Sequence, residues 1–188
     1  MSLAPGPGDK LTMICQNLET TPVFTLPAGF QLRWYVPGDE KLWLEIHLQA
    51  DPYNPITSQF FQQQFGNDSA ELAKRQCYLV APDGRAIGTA TAWFGKDPLV
   101  REFGRVHWVA LLPEYHGRGL SKPLLGAICA CLRELGHSRA YLNTSAQRKA
   151  AIGLYLRFGF KPWIGNEHER NIWDQLLGSP YDFVSNLG

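Results

Sequence analysis

No charge of one sign dominates this sequence: 18 lysines and arginines face 17 aspartates and glutamates across 188 residues, a net charge of +1. That balance excludes the basic surface of a nucleic-acid binder and the polybasic face of a membrane-surface protein. No apolar run approaches the roughly 20 residues that a bilayer-spanning helix needs. The opening stretch, MSLAPGPGDK, lacks the apolar centre of a signal peptide. Cysteine is scarce, and Cys15, Cys77, Cys129 and Cys131 match no zinc spacing. Cys129 and Cys131 stand two apart on a predicted helix and so point in different directions. A reduced, cytoplasmic protein without a metal is the expectation. Internal repeats and low-complexity segments are missing, as is a Walker loop. Lys122 stands where a dinucleotide fingerprint would put its third glycine.

The length suits one domain that removes about 70% of its unfolded surface from water. The expected layout is a flexible lead-in over 1–28, a domain over 29–178 and a tail over 179–188. Phe30 to Val36 alternates and predicts a first strand, and Asp39 is placed to cap a helix with Leu42, Trp43, Ile46 and Ala50 on its apolar face. Aromatic helical material follows around Phe60, Phe61 and Phe65, then a short helix capped by Asp68 or Ser69. Gln76 to Ala81 and Arg85 to Phe94 predict a hairpin about Pro82-Asp83-Gly84. The small residues Ala86, Gly88, Ala90 and Ala92 leave one of its faces open to close approach. Lys96-Asp97-Pro98 starts the next loop.

The most informative stretch runs from Arg105 to Leu135. Alternation puts Val106, Trp108, Ala110 and Leu112 on one face of a strand and His107, Val109 and Leu111 on the other. Pro113 ends the strand. His116-Gly117-Arg118-Gly119 then opens a helix with the apolar stripe Leu120, Leu124, Ile128, Cys131 and Leu135, stopped by Gly136. Glycines and a basic side chain at a helix start make a concave set of N–H donors suited to a phosphate or pyrophosphate. Further on, Arg139 to Leu142 predicts a strand, and Thr144-Ser145-Ala146-Gln147 has capping-box spacing ahead of a helix with Ala151, Leu154, Tyr155 and Phe158 on one face. A strand from Phe160 to Ile164 follows, and 167–177 fits a helix better than a strand. Early hairpins and late helical crossovers predict a mixed α/β sheet with helices on both faces.

Leu112 to Ser121 is similar to the acetyl-CoA signature Arg/Gln-x-x-Gly-x-Gly/Ala of the GNAT superfamily of N-acetyltransferases. Ala151 to Phe160, AIGLYLRFGF, resembles the family's A-I-x-L-Y-x-x-x-G-F. The order of elements through Ile164 also fits. His116 stands where the family usually has Arg or Gln, Ser121 where it has Gly or Ala, and Arg148 where many members carry Asn. The resemblance implies a single-domain GNAT fold, a six- to seven-stranded sheet whose fourth and fifth strands splay apart. It also implies transfer of an acetyl group from acetyl-CoA, as cosubstrate, to an amine by direct attack in a ternary complex.

On that resemblance, the backbone of His116, Gly117, Arg118, Gly119, Leu120 and Ser121 holds the CoA pyrophosphate. Val109, Ala110 and Leu111 pair with the pantetheine arm. Asn143 is placed for pantetheine or acceptor and Arg148 for a CoA phosphate. Tyr155 corresponds to the general acid that protonates the leaving thiolate, although helical spacing alone favours a core tyrosine. His107 is the candidate base, with Glu102, Glu114 and ordered water as alternatives, and it reads equally as a core histidine. Tyr53, Phe60, Phe61 and Trp163 form a conceivable acceptor wall. The acceptor is expected to be a small-molecule or peptide amine, the protein a monomer or homodimer. The rivals are a GNAT-fold module that binds acyl-CoA without turnover and a nucleotide-phosphate site at Gly117–Gly119.

Overall fold

The computed structural model describes residues 10–95 and 102–185. The loop expected at Lys96-Asp97-Pro98 and the first nine residues of the lead-in lie outside that range. The chain is α/β, and its seven strands belong to a mixed sheet flanked by helices, as the sequence leads one to expect. It divides into two units, one of Val23–Trp93 with Val106–Cys131, the other of Met1–Pro22, Phe94–Arg105 and Leu132–Gly188.

The first of these units holds the strand order β2-β3-β4-β5: β2 Gln31–Trp34, β3 Gln76–Val80, β4 Ala86–Trp93 and β5 Gly104–Leu111, the last from Val106 onward, its first two residues belonging to the other unit. The expected hairpin is present. Ala81 N–H donates to the Arg85 carbonyl at 2.9 Å, and Gly84 takes the left-handed φ of +84° that the turn requires. Three helices precede β3: α1 Glu40–Ala50, α2 Phe60–Phe65 and α3 Ser69–Arg75. Asp68 caps α3 by accepting from Glu71 N–H at 3.0 Å. Asp39 sits at the start of α1 without capping it. Its carboxylate instead takes both guanidinium nitrogens of Arg33, at 2.6 and 2.9 Å, and the Val36 N–H. The long helix α4, Ser121–Glu134, follows β5. At Gly88 an added Cβ would lie 3.0 Å from the Ala110 carbonyl and 3.5 Å from Leu124 of α4, so the small face of β4 does admit close approach.

In the other unit the order is β6-β1-β7, with β1 Lys10–Cys15, β6 Ala140–Ser145 and β7 Lys161–Pro162. Residues 10–15 were expected in a flexible lead-in. They form a strand instead, antiparallel to β6 from Lys10 opposite Ser145 to Cys15 opposite Ala140. The run KLTMIC buries Leu11, Met13, Ile14 and Cys15. Its hydrophobicity was masked by the Pro/Gly-rich residues ahead of it. Helix α5 spans Lys149–Arg157 and α6 spans Glu167–Leu177, the latter capped by Asn166 and stopped at Gly178 with φ +71°. The capping box at Thr144 is not formed. Thr144 and Ser145 are the last residues of β6, paired with Leu11 and Lys10, and Arg148 takes the cap position without a capping hydrogen bond from its side chain. The strand expected through Ile164 shortens to two residues. Beyond it Trp163 bridges to Val184, whose N–H donates to the Pro162 carbonyl at 2.8 Å.

Candidate active site

After Leu111 the chain makes one turn of 3-10 helix over Pro113–Tyr115, and Pro113, with no N–H to lose, stands at its first position. The His116 ring then turns back. Its Nε2 lies 2.8 Å from the Leu111 carbonyl, and because a carbonyl only accepts, the imidazole N–H donates there. His116 therefore ties the end of β5 to the turn with its side chain, using one of the two lone pairs on that carbonyl. Gly117 and Gly119 both hold φ +76°, and a Cβ at either would meet nothing within 4 Å. The glycines answer to backbone conformation and to open space above the turn.

The amides of Gly117, Arg118, Gly119 and Leu120 make no backbone hydrogen bond among the described residues. The first bond back into the turn is Lys122 N–H to the Gly119 carbonyl, at 3.2 Å. With the Ser121 N–H, five donors thus lie unmatched at the start of a 14-residue helix, whose dipole favours an anion at that end. Arg118 is exposed, its guanidinium 4.9 Å from the Tyr115 ring centroid. Glu114 is held in a half-exposed ion pair with Arg85 at 3.0 Å.

Val109, Ala110 and Leu111 form the last three residues of β5, directly before this turn. The alternation expected along the strand breaks at Trp108, which adopts φ +50°. This corrects the placement of His107 and Trp108 on opposite faces. Both rings join one aromatic cluster: His107 is 5.6 Å from Phe65 and 5.8 Å from Trp108, and Trp108 is 5.5 Å from Trp43, 5.4 Å from His47 and 5.2 Å from Phe60. A left-handed residue inside a strand rotates the residues after it, so a period of two does not survive past that point. Trp108 is pinned from its polar end too, its Nε1–H donating to Gln64 Oε1 at 3.0 Å. His107 is buried, at 6% exposure. Of the acceptor wall, Phe60 and Phe61 belong to this cluster, whereas Tyr53 is half exposed.

Sequence reasoning missed His47 and Gln64. His47 had a signal, standing one helical turn after Trp43, on whose indole it stacks at 3.8 Å. Gln64, within FFQQQF, had none.

The unit with β6 carries the remaining candidates. Asn143 Oδ1 accepts from Thr12 Oγ1 at 3.0 Å, which orients the amide with Nδ2 left to donate. Tyr155 lies on the buried side of α5, its ring 6.2 Å from Phe160. Burial pushes its phenol up to about 12, with the positive charge of Arg148 pulling it partly back. It is protonated at any physiological pH. Glu102 is exposed and lies 3.7 Å from Arg139. Among the described residues no group of His, Cys, Asp and Glu side chains could hold a metal ion, and no helix is long and apolar enough to cross a membrane. All four cysteines are buried, and none forms a disulfide among the described residues.

A mixed α/β sheet and a glycine-bearing turn that opens a long helix are features of the GNAT fold. The chain belongs to that family: residues 40–160 match the model of the Acetyltransferase (GNAT) family. Among curated relatives, the mycothiol acetyltransferase of Pseudarthrobacter chlorophenolicus is 33% identical over 157 residues, 76% of this chain and 46% of that protein. The mycothiol acetyltransferase of Salinispora tropica is 31% identical over 150 residues, 73% of this chain and 47% of that protein. The chain thus spans about half the length of the curated relatives it matches. Among solved structures, a GCN5-related N-acetyltransferase from Sphaerobacter thermophilus shares the fold at a TM-score of 0.69, with 22% identity over 85% of this chain and 50% of that one.

Proposed function

We propose that this protein is an acetyl-CoA-dependent N-acetyltransferase acting on a primary amine. The observation that carries the reading is the set of five unmatched amides at the start of α4, in a chain that belongs to an acetyltransferase family. Acetyl-CoA supplies an activated thioester; the chain supplies anchoring, proton transfer and exclusion of water. The amides from Gly117 to Leu120, with Ser121 at the first helical position, hold the pyrophosphate, and Arg118 adds a charge-assisted contact from the exposed side. His116 acts by fixing the turn to Leu111 rather than by meeting phosphate with its ring. The backbone of Val109, Ala110 and Leu111 pairs with the pantetheine arm as an added strand would. Asn143 donates to pantetheine or acceptor, and Arg148 meets a CoA phosphate. Tyr155, protonated at neutral pH, gives its proton to the leaving thiolate.

His107 is the base we favour over the carboxylates, because Glu102 and Glu114 are both exposed and both sit in ion pairs. An imidazole in an aromatic surround accepts the ammonium proton directly or through water. A His107→Ala variant should lose the acidic limb of the kcat/KM profile and about 10²-fold or more in rate. An unaltered profile and rate assign the step to water.

Calorimetry with CoA, acetyl-CoA and ATP tests the donor site; tighter binding of ATP than of CoA overturns the reading. Mass-spectrometric detection of acetylated products from an amine pool tests transfer, and an acceptor of the mycothiol kind heads that pool, since the relatives carry that name. Binding of acetyl-CoA without any transfer leaves a regulatory acyl-CoA-binding module.

A further inference from the structure

Arg105, the second residue of β5, is half-buried and has no use in the mechanism above. Its Nε is buried and makes no hydrogen bond, and no carboxylate pairs with it among the described residues. The guanidinium carbon lies 5.9 Å from the centroid of the Tyr141 ring. The acid nearest in sequence, Glu102, is engaged by Arg139, whose own guanidinium lies 4.4 Å from the Phe103 ring centroid. A guanidinium nitrogen taken out of water without an acceptor is costly, and proteins seldom keep one that nothing uses.

The surroundings favour an anion. Tyr141 and Asn143 stand two apart on β6 and face the same side, opposite Ile14 and Thr12 in the ladder with β1. Thr12 spends its hydroxyl proton on Asn143 Oδ1, so the amide turns a donor outward. Ile14, Phe103, Tyr141 and Val184 form an apolar cluster on this face, with Trp163 packed against it. The face therefore offers a fork of N–H donors and an amide N–H over apolar ground, with no carboxylate paired to the guanidinium among the described residues.

We propose that Arg105, assisted by Asn143, binds the carboxylate or phosphate group of an anionic amine acceptor. This rests on the acyltransferase reading and narrows its acceptor to amines that carry an oxyanion. The guanidinium fork suits either group in a bidentate contact, which a lysine cannot reproduce.

The test measures kcat/KM for pairs of amines that differ only in the anion: L-serine against L-serinamide, and O-phosphoethanolamine against ethanolamine. The anionic member of at least one pair should be favoured by about 10-fold or more, the scale of a charge-assisted hydrogen bond. The pair that shows the preference identifies the oxyanion. In Arg105→Met the ratio should fall to near one, and in Arg105→Lys it should fall part of the way. The melting temperature of Arg105→Met should not drop, because an unsatisfied buried N–H is being removed; a merely structural arginine predicts a drop with the ratio intact. Neutral amines equal to or better than their anionic mates in both pairs overturn the proposal, as does a preference that survives Arg105→Met. Calorimetry with acetyl-CoA on the same samples separates the two levels. Absence of donor binding sinks the acyltransferase reading and this one with it, while donor binding without anion preference sinks this one alone.

Discussion

Tyr155→Phe is expected to lower kcat by about 10²- to 10⁴-fold while leaving acetyl-CoA affinity within a factor of two or so. The variant is clean because the hydroxyl makes no hydrogen bond among the described residues. Phenylalanine keeps the ring, its contact with Phe160 and its place on the buried side of α5, and removes one oxygen that serves no structural bond. Any loss of turnover therefore belongs to chemistry. The same phenol also makes stability depend on pH. The folded phenol, raised to about 12, holds its proton more tightly than the ordinary value of 10.0 in the unfolded chain. Between those values the unfolded state loses its proton first. The neutral phenol costs nothing below pH 10, and stability falls as pH rises from there toward 12. At pH 11 the wild type should have lost about 1 kcal/mol that Tyr155→Phe retains. Urea melts at pH 8 and pH 11 measure the difference, and stopped assays at pH 8 measure kcat. Full turnover in Tyr155→Phe removes the acid role, and parallel melts at both pH values remove the shifted phenol.

How much of the molecule is legible in its sequence depends on where each signal lies. The turn at Gly117 and Gly119 was legible because left-handed glycines and a following 3.6-residue stripe are local events, and the hairpin at Pro82-Asp83-Gly84 was legible for the same reason. The strand at Lys10–Cys15 was not. Six residues carry too little period to stand out, and what fixes them is the ladder with Ala140–Ser145, far away in sequence. The helix cap at Thr144 failed through competition: a threonine suits a cap or a strand, and pairing with Leu11 decided it. Trp108 is the sharpest case. Nothing in RVHWVALL marks a left-handed tryptophan, because the conformation is stabilised by Gln64, Trp43 and Phe60 from other elements. The expected placement of His107 and Trp108 on opposite faces failed at that residue, since both rings lie in one aromatic cluster. Arg105 was passed over because an arginine that lacks a partner is visible only once its neighbours are known.

Trp43→Ala should be the most damaging core substitution, costing about 3–5 kcal/mol. The ring is fully buried and touches His47, Phe60, Phe61, Phe65 and Trp108, so its removal leaves a cavity walled by five rings that cannot all collapse inward. Against a total stability of about 5–15 kcal/mol, that is a large part of the margin. Trp43→Phe should behave differently. The indole Nε1–H is buried and has no acceptor among the described residues, so phenylalanine gives up volume but also removes an unsatisfied donor worth about 1–3 kcal/mol. The two effects offset, and the net loss should stay under about 1.5 kcal/mol. Part of the alanine penalty runs through Trp108, held at φ +50° against roughly 1–2 kcal/mol of backbone strain. Glycine adopts that φ freely, so Trp108→Gly releases the strain while losing the ring. With the Trp43 contact gone, Trp108 has less to lose, and the double variant should be less destabilised than the sum of the singles by about 0.5–3 kcal/mol. Urea denaturation of the four proteins closes the cycle. Strict additivity would show that Trp43 and Trp108 act separately, and equal losses in Trp43→Ala and Trp43→Phe would show that the cavity is not what the tryptophan prevents.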